Sequence, residues 1–364
     1  MEKKETAFEI LGLMSGSSLD GLDMAHCRFQ RTEQGWKGKI LKAKTQAFPP
    51  ELLSRLKSIR RTSALKLSET EALFVKFSAE AVENFIQKHG LEPIAIASHG
   101  HTAFHNPAAG YTFQMGNGGL LAGLLRRPVI SDFRTMDAGN GGQGAPLVPG
   151  AERFLFSQYD ACLNLGGIAN VSFNGEDGFL GFDIAPCNQL LNLAASWCHL
   201  PYDKDGLLAV KGRPLPKLLR LLNSLRFYKK LPPKSLGNED VAKIWMPMLM
   251  SFSNHPEDVL HTLCMHIAHQ VASAIQPHRS GGKLLVTGGG AFHGFLMGCL
   301  RNELGRQWSA PLPSNILVSY KEAYCFAFLG LLRLLGEKNV FRSITGANED
   351  LVSGAVYGVQ WLKM

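Results

Sequence analysis

The segment Leu11–Asp23, LGLMSGSSLDGLD, has the make-up of an anion cradle. Ser15, Gly16, Ser17 and Ser18 follow an apolar run, and their small side chains let backbone N–H groups approach an oxyanion closely. Asp20 and Asp23 come next, placed to reach a hydrated cation that accompanies a polyphosphate. A serine-rich hairpin turn accounts for the same residues with no ligand at all. Two more glycine turns, Gly166-Gly167 and Gly288-Gly289-Gly290, also follow apolar strand-like runs. None of the three fits the GxGxxG dinucleotide fingerprint or a GxxxxGK[ST] loop. A helix-packing turn is an alternative reading for any single glycine of the third group.

The elements that must position these turns alternate between strand and helix. Ala7–Met14 and Leu22–Phe29 read as strands around the first turn, and helices are expected over 50–59 and 67–88. A short strand, Ile94–Ala97, is expected to end at Ser98-His99-Gly100-His101. Further strands fall at 111–115 and 129–130, separated by a helix over 120–126. The glycine-dense stretch 138–150 is the best lobe boundary, so lobe I is expected over 1–137 and lobe II over 138–364, with the C-terminal segment able to pack back on lobe I. The second half repeats the opening logic: strands at 161–165 and 168–173 flank Gly166-Gly167. Helices follow at 189–198, 215–225 and 259–275, then a strand at 283–286. These patterns predict an α/β protein with two mixed sheets flanked by helices.

At 364 residues and 45% hydrophobic, the chain can bury a large core. Its formal charge of +8 is carried by scattered pairs such as Lys3-Lys4, Arg60-Arg61, Arg126-Arg127 and Lys229-Lys230. They form no basic stripe interleaved with aromatics, so they read as solvated surface charge and no nucleic-acid partner is expected. Seven dispersed cysteines with no C-x-x-C pair suggest reduced thiols rather than a disulfide framework or zinc site. The N-terminus carries no apolar signal segment, and the apolar run 323–335 holds Arg333, which suits a core helix rather than a membrane span. A soluble, cytoplasmic protein is expected.

The motifs, taken in order, resemble one family. GLMSGSSLDGLD (12–23), SHGHT (98–102), QMGN (114–117), DFR (132–134) and GGQGAPLVP (141–149) stand in the first half. NLGGIANVS (164–172), GFDIAPCN (181–188), DKDG (203–206), PPKSLGNE (232–239), TGGGAF (287–292) and EAYCFAFL (322–329) follow. The series is similar to the anhydro-N-acetylmuramic acid kinases, from the first strand to the last residues. The resemblance implies the two-lobed actin-like ATPase (ribonuclease H-like) fold, with a ligand cleft between lobes. It also implies an ATP- and Mg²⁺-dependent kinase that opens the 1,6-anhydro bridge of an amino sugar with water and gives N-acetylmuramate 6-phosphate in cell-wall recycling. A homodimer is a further implication.

Such a reaction needs a base for water, a cradle for the γ-phosphoryl group and a cation to neutralise it. The family's catalytic aspartate falls on Asp183, although a helix N-cap ahead of Gln189 is its structural alternative. The first ATP loop falls on Gly16, Ser17, Ser18, Leu19, Asp20, Gly21, Leu22 and Asp23, with Asp20 supporting Mg²⁺ through water. Gly166 and Gly167 form the second clip, and Gly288, Gly289 and Gly290 lie on the adenosine side. For the sugar, Arg134 suits the lactyl carboxylate by bidentate pairing, and His99, Gln114 and Asn117 offer neutral hydrogen bonds, as does Gln143. Glu322 is a polar contact near the reacting centre.

Three departures from the family pattern stand out: His101 where glutamine is usual, Ala185 and Cys187 where glycines are frequent, and Thr135-Met136 where further arginines often occur. They bear on substrate affinity, and leave the base, the loops and Arg134 in place. Two other readings share the fold, a kinase for a different anhydro sugar and a non-catalytic nucleotide switch. Arg134 argues against the first, and the retained Asp183 against the second.

Overall fold

The computed structural model describes residues 6–16, 19–175, 178–232, 234–311 and 313–363. Ser17 and Ser18 of the first loop lie outside the described residues. The chain divides into two compact units, one formed by Met1–Leu155 with Tyr320–Met364 and the other by Phe156–Ser319. The division falls after Leu155 rather than at the glycine-dense connector. The connector is bonded into the first unit: Gln143 N donates to Thr345 O at 2.8 Å, and Gly144 N to Asp137 Oδ2 at 2.7 Å.

In the first unit, β1 (Ala7–Ser15), β2 (Leu22–Thr32) and β3 (Gly35–Gln46) form an antiparallel meander. β4 (Ala95–Asn106) runs parallel to β1 on its other side, β5 (Tyr111–Met115) folds back on β4, and β6 (Val129–Ser131) lies parallel to β4. The C-terminal strand Ala355–Tyr357 closes the far edge against β6. Ile10, Leu11 and Leu13 are all fully buried because helices cover both faces of the sheet, which explains the continuous apolar run of β1. On one face lies the helix Ala64–His89, opened by the Ser63 hydroxyl and closed by Gly90 at φ +59°. On the other, the helix Asn315–Leu334 comes so close that a Cβ on Gly12 would stand 1.9 Å from Ala323 O. Only glycine allows that approach.

β4 is longer than the short strand expected over 94–97. It continues through the histidine-rich motif because β5 supplies hydrogen-bond partners as far as Asn106. Gly100, at φ +74°, makes the local kink, and a Cβ there would meet Met115 O at 2.1 Å.

The second unit repeats the order. β7 (Ala161–Leu165), β8 (Ile168–Gly175) and β9 (Gly178–Pro186) form an antiparallel meander, and β10 (Gly282–Thr287) runs parallel to β7. β11 (Trp308–Ser309) continues the sheet beside β10. Leu163, Val171, Phe182, Leu284 and Val286 pack with Leu263, Ile267 and Val271 of the helix Pro256–Ile275. A meander whose first strand gains a parallel neighbour, with helices against the sheet, is the ribonuclease H-like arrangement, and this chain carries it twice.

Candidate active site

In the first unit, the parallel strands β1 and β4 deliver their C-terminal ends side by side, with Ser15 in register with His101. Ser15 Oγ lies 3.0 Å from His101 Nδ1, and both residues are buried. Burial lowers the His101 pKa to about 4, so the imidazole is neutral at neutral pH. Immediately beyond, Leu19 N donates to Gly16 O at 3.3 Å, with Leu19 itself at φ +60°. Gly21 passes so near β3 that a Cβ would stand 2.4 Å from Gln46 O.

Asp20 is exposed. Asp23 Oδ1 accepts from Thr45 Oγ1 at 2.5 Å. Burial is the main cause that raises its carboxyl to about 6; the Thr45 hydrogen bond opposes, and the charges of Glu322 and Asp20 add to the rise. Asp20, Asp23 and Glu322 thus share one electrostatic neighbourhood. Among the described residues no three acidic, histidine or cysteine side chains form a metal-holding group. Magnesium fits this loop in another way, because it binds through one or two carboxylates plus substrate phosphates and waters. Asp20, backed by Asp23, offers that pattern.

Arg134, Glu322 and His99 form the second feature of this unit. Arg134 Nε donates to His99 Nε2 at 2.9 Å, and its Nη1 donates to Gly144 O. His99 therefore carries its proton on Nδ1, 3.0 Å from Gly100 O. Burial first, then the Arg134 charge, holds the His99 pKa well below its usual value. Glu322 is raised by burial, against the pull of Lys321 and Arg134. Lys321 Nζ sits 2.6 Å from Glu152 Oε1, a pair that is almost wholly buried.

Gln114 and Asn117, also expected at the sugar, are placed differently. Gln114 lies in β5, with Nε2 2.8 Å from Thr112 Oγ1. Asn117 is the N-cap of the helix Gly118–Leu125, its Oδ1 accepting from Leu120 N at 3.0 Å. Glu71 binds the backbone N–H groups of both Gly116 and Asn117, at 3.0 and 2.6 Å. That clamp escapes sequence reading, since Glu71 sits among other charged residues of a long helix.

In the second unit the structure brings two glycine turns together. Gly288 has φ +82°, and a Cβ there would meet Asn164 Oδ1 at 2.6 Å and the Leu165 backbone at 2.7 Å. A Cβ on Gly290 would meet that of Leu165 at 2.7 Å, and one on Gly289 would lie 3.2 Å from Asn188 Nδ2. Gly166 O and Gly167 O accept from Asn188 N and Cys187 N at 3.0 and 2.9 Å, so the turn itself caps the helix Asn188–Ser196. The third glycine turn is anchored through His293, whose N–H donates to Gly290 O at 3.1 Å and whose Nδ1 accepts from Leu296 N at 3.2 Å. His293 Nε2 faces Asp203 of the DKDG motif at 3.5 Å.

Asp183 stands in β9, in register with Asn170. It is no helix cap: the following helix begins at Asn188, and Cys187 occupies its N-cap position. Instead Asp183 N donates to Lys234 O at 3.0 Å, and Leu236 N donates to Asp183 Oδ2 at 2.8 Å. The segment 234–238 also meets the second glycine turn's neighbour, Gln189, through Asn238 at 2.6 Å. Conserving one carboxylate oxygen for a backbone donor orients the group, as a positioned base requires.

Two ribonuclease H-like units, each with a glycine-bearing turn after its opening strand, define a doubled α/β fold with mixed sheets flanked by helices. The family model for anhydro-N-acetylmuramic acid kinase matches residues 8–359. The anhydro-N-acetylmuramic acid kinase of Pseudomonas putida is 36% identical, covering 95% of this chain and 98% of that protein. Its counterpart in Acinetobacter baylyi is 32% identical over 96% and 99%, and that of Bordetella pertussis 36% over 95% of each. The chain belongs to the anhydro-N-acetylmuramic acid kinase family. Among the described residues no helix is long and apolar enough to cross a membrane.

Proposed function

We propose that this chain is an ATP-dependent kinase that hydrolyses the 1,6-anhydro bridge of 1,6-anhydro-N-acetylmuramic acid and phosphorylates O6, yielding N-acetylmuramate 6-phosphate in peptidoglycan recycling. Asp183 takes a proton from water as its oxygen attacks C1. The C1–O6 bond breaks, and O6 accepts the γ-phosphoryl group as ADP leaves. Gly16–Asp23 holds the β- and γ-phosphates, Gly166-Gly167 forms the second clip, and Gly288–Gly290 lies against the adenosine. Asp20 would hold Mg²⁺ through water, and the cation would supply neutralisation of the phosphoryl charge. Arg134 binds the lactyl carboxylate beside His99, with Gln114, Asn117 and Glu322 as further polar contacts. The enzyme works in the cytoplasm as a homodimer.

The observation that carries this reading is the hydrogen bond from Leu236 N to Asp183 Oδ2, which aims a strand-borne carboxylate within a chain of this family. Product analysis in ¹⁸O-labelled water tests it. The sugar should gain one phosphoryl group and one ¹⁸O, with the label on C1 and not in the phosphate. Label in the phosphate, or phosphorylation with the anhydro bridge intact, would sink it.

A further inference from the structure

The Arg126-Arg127 pair reads in the sequence as solvated charge, and the structure gives it a different setting. The C-terminal strand Ala355–Tyr357 pairs with β6 and so carries the following residues back beside 126–128. Gly358, at φ +71°, makes the turn, and a Cβ there would lie 2.6 Å from the Trp361 ring and 3.0 Å from Arg127 O. Trp361 N then closes onto Gly358 O at 2.9 Å. The result is a cavity of about 560 Å³ lined by Glu92, Arg126, Arg127, Pro128, Trp361 and Lys363 among others. Its floor is pinned to the sheet, because Ile96 N donates to Pro128 O and Ile94 N to Glu9 O, both at 2.9 Å.

This cavity lies at the N-terminal ends of β4 and β6, whereas His99 and His101 lie further along β4 and Arg134 follows the C-terminal end of β6. The backbone N–H of Arg126 caps the preceding helix through Ala122 O at 2.8 Å, and its side chain is exposed. Arg127 is half-buried, and its Nε has no hydrogen-bond partner among the described residues. Three cationic residues and one acidic residue line the cavity, a surplus of two positive charges. A phosphate monoester carries about −1.5 to −2 at neutral pH and three acceptor oxygens, and guanidinium groups bind it in bidentate fashion.

We infer that this cavity is a second ligand site, at the ends of β4 and β6 opposite to His99, His101 and Arg134, that takes a small phosphate-bearing molecule between Arg127, Arg126 and Lys363, with Trp361 as its wall. The site does not depend on the proposed reaction.

The test is ¹⁹F NMR of the full chain labelled with 6-fluorotryptophan, the Trp361 resonance being assigned by its loss in Trp361→Phe. Inorganic phosphate, glucose 6-phosphate, glucose and an ionic-strength-matched chloride control are titrated separately. The Trp361 resonance should move saturably with the two phosphates and stay still with glucose and chloride. Tighter binding of the ester assigns the site to a sugar phosphate, and equal binding to free phosphate. Arg127→Met and, independently, the more exposed Lys363→Met should each weaken binding by about tenfold. A Trp361 resonance indifferent to phosphate, or a response unchanged in whichever of these variants folds, would overturn the inference.

Discussion

Arg134 Nε donates to the neutral Nε2 of His99 across 2.9 Å, and that bond fixes both the tautomer of the histidine and the plane of the guanidinium. The remaining guanidinium edge also meets Gly144 O of the glycine-rich connector. Lysine has no Nε–H and no fork, so it cannot hold both partners while pairing with a carboxylate. Arg134→Lys should raise KM for the anhydro sugar by about tenfold or more and leave KM for ATP nearly unchanged. Steady-state kinetics with each substrate varied in turn would check this split.

A second prediction concerns His101. In the unfolded chain its imidazole protonates near pH 6.5, but in the fold only near 4, so the unfolded state binds more protons between these values. Stability is intact above the unfolded pKa and falls as pH drops from 6.5 toward 4, with this one residue costing about 3 kcal/mol at pH 4. His101→Gln removes the titration and can keep a hydrogen bond to Ser15. Thermal unfolding from pH 7 to 4 should therefore fall less steeply in the variant than in the parent. Parallel profiles would show that burial does not hold the His101 imidazole neutral in this way.

Gly288 offers a third test, one of packing. Alanine there meets Asn164 Oδ1 and Leu165 at 2.6 to 2.8 Å in a backbone region that side chains rarely adopt. Gly288→Ala should cost about 1–3 kcal/mol of stability and weaken ATP binding more than sugar binding. Chemical denaturation and nucleotide titration by calorimetry would measure both. Ordinary affinity in a variant that folds normally would remove Gly288 from the adenosine side.

The parts of this site that could be read in the sequence are those whose residue type is tied to local chemistry. A glycine after a strand announces close backbone approach, and Gly288 and Gly290 indeed stand where no Cβ fits beside Asn164 and Leu165. The doubled α/β pattern was legible because strand and helix periods differ. Long-range partners were not. Glu71 is one helical glutamate among several until the fold brings it to Gly116 and Asn117. The sequence neighbourhood of Asp183 also allowed a helix cap, and the start of the helix at Asn188 with Cys187 as its N-cap, together with the strand register, decides against it. β4 outran its apolar run because a hairpin partner, not hydrophobicity, sustains it past Ala97.

The central claim is that Asp183 is the base of a sugar-dependent phosphoryl transfer. Asp183→Asn tests it directly, because asparagine retains an oxygen for Leu236 N while losing the ability to take a proton. The measurement is ADP formation with and without 1,6-anhydro-N-acetylmuramate, in parent and variant, with unfolding curves confirming that both are folded. Sugar-dependent ADP formation should fall by about 10²–10⁴-fold in the variant. ADP release that is independent of the sugar and unchanged by the substitution would contradict it.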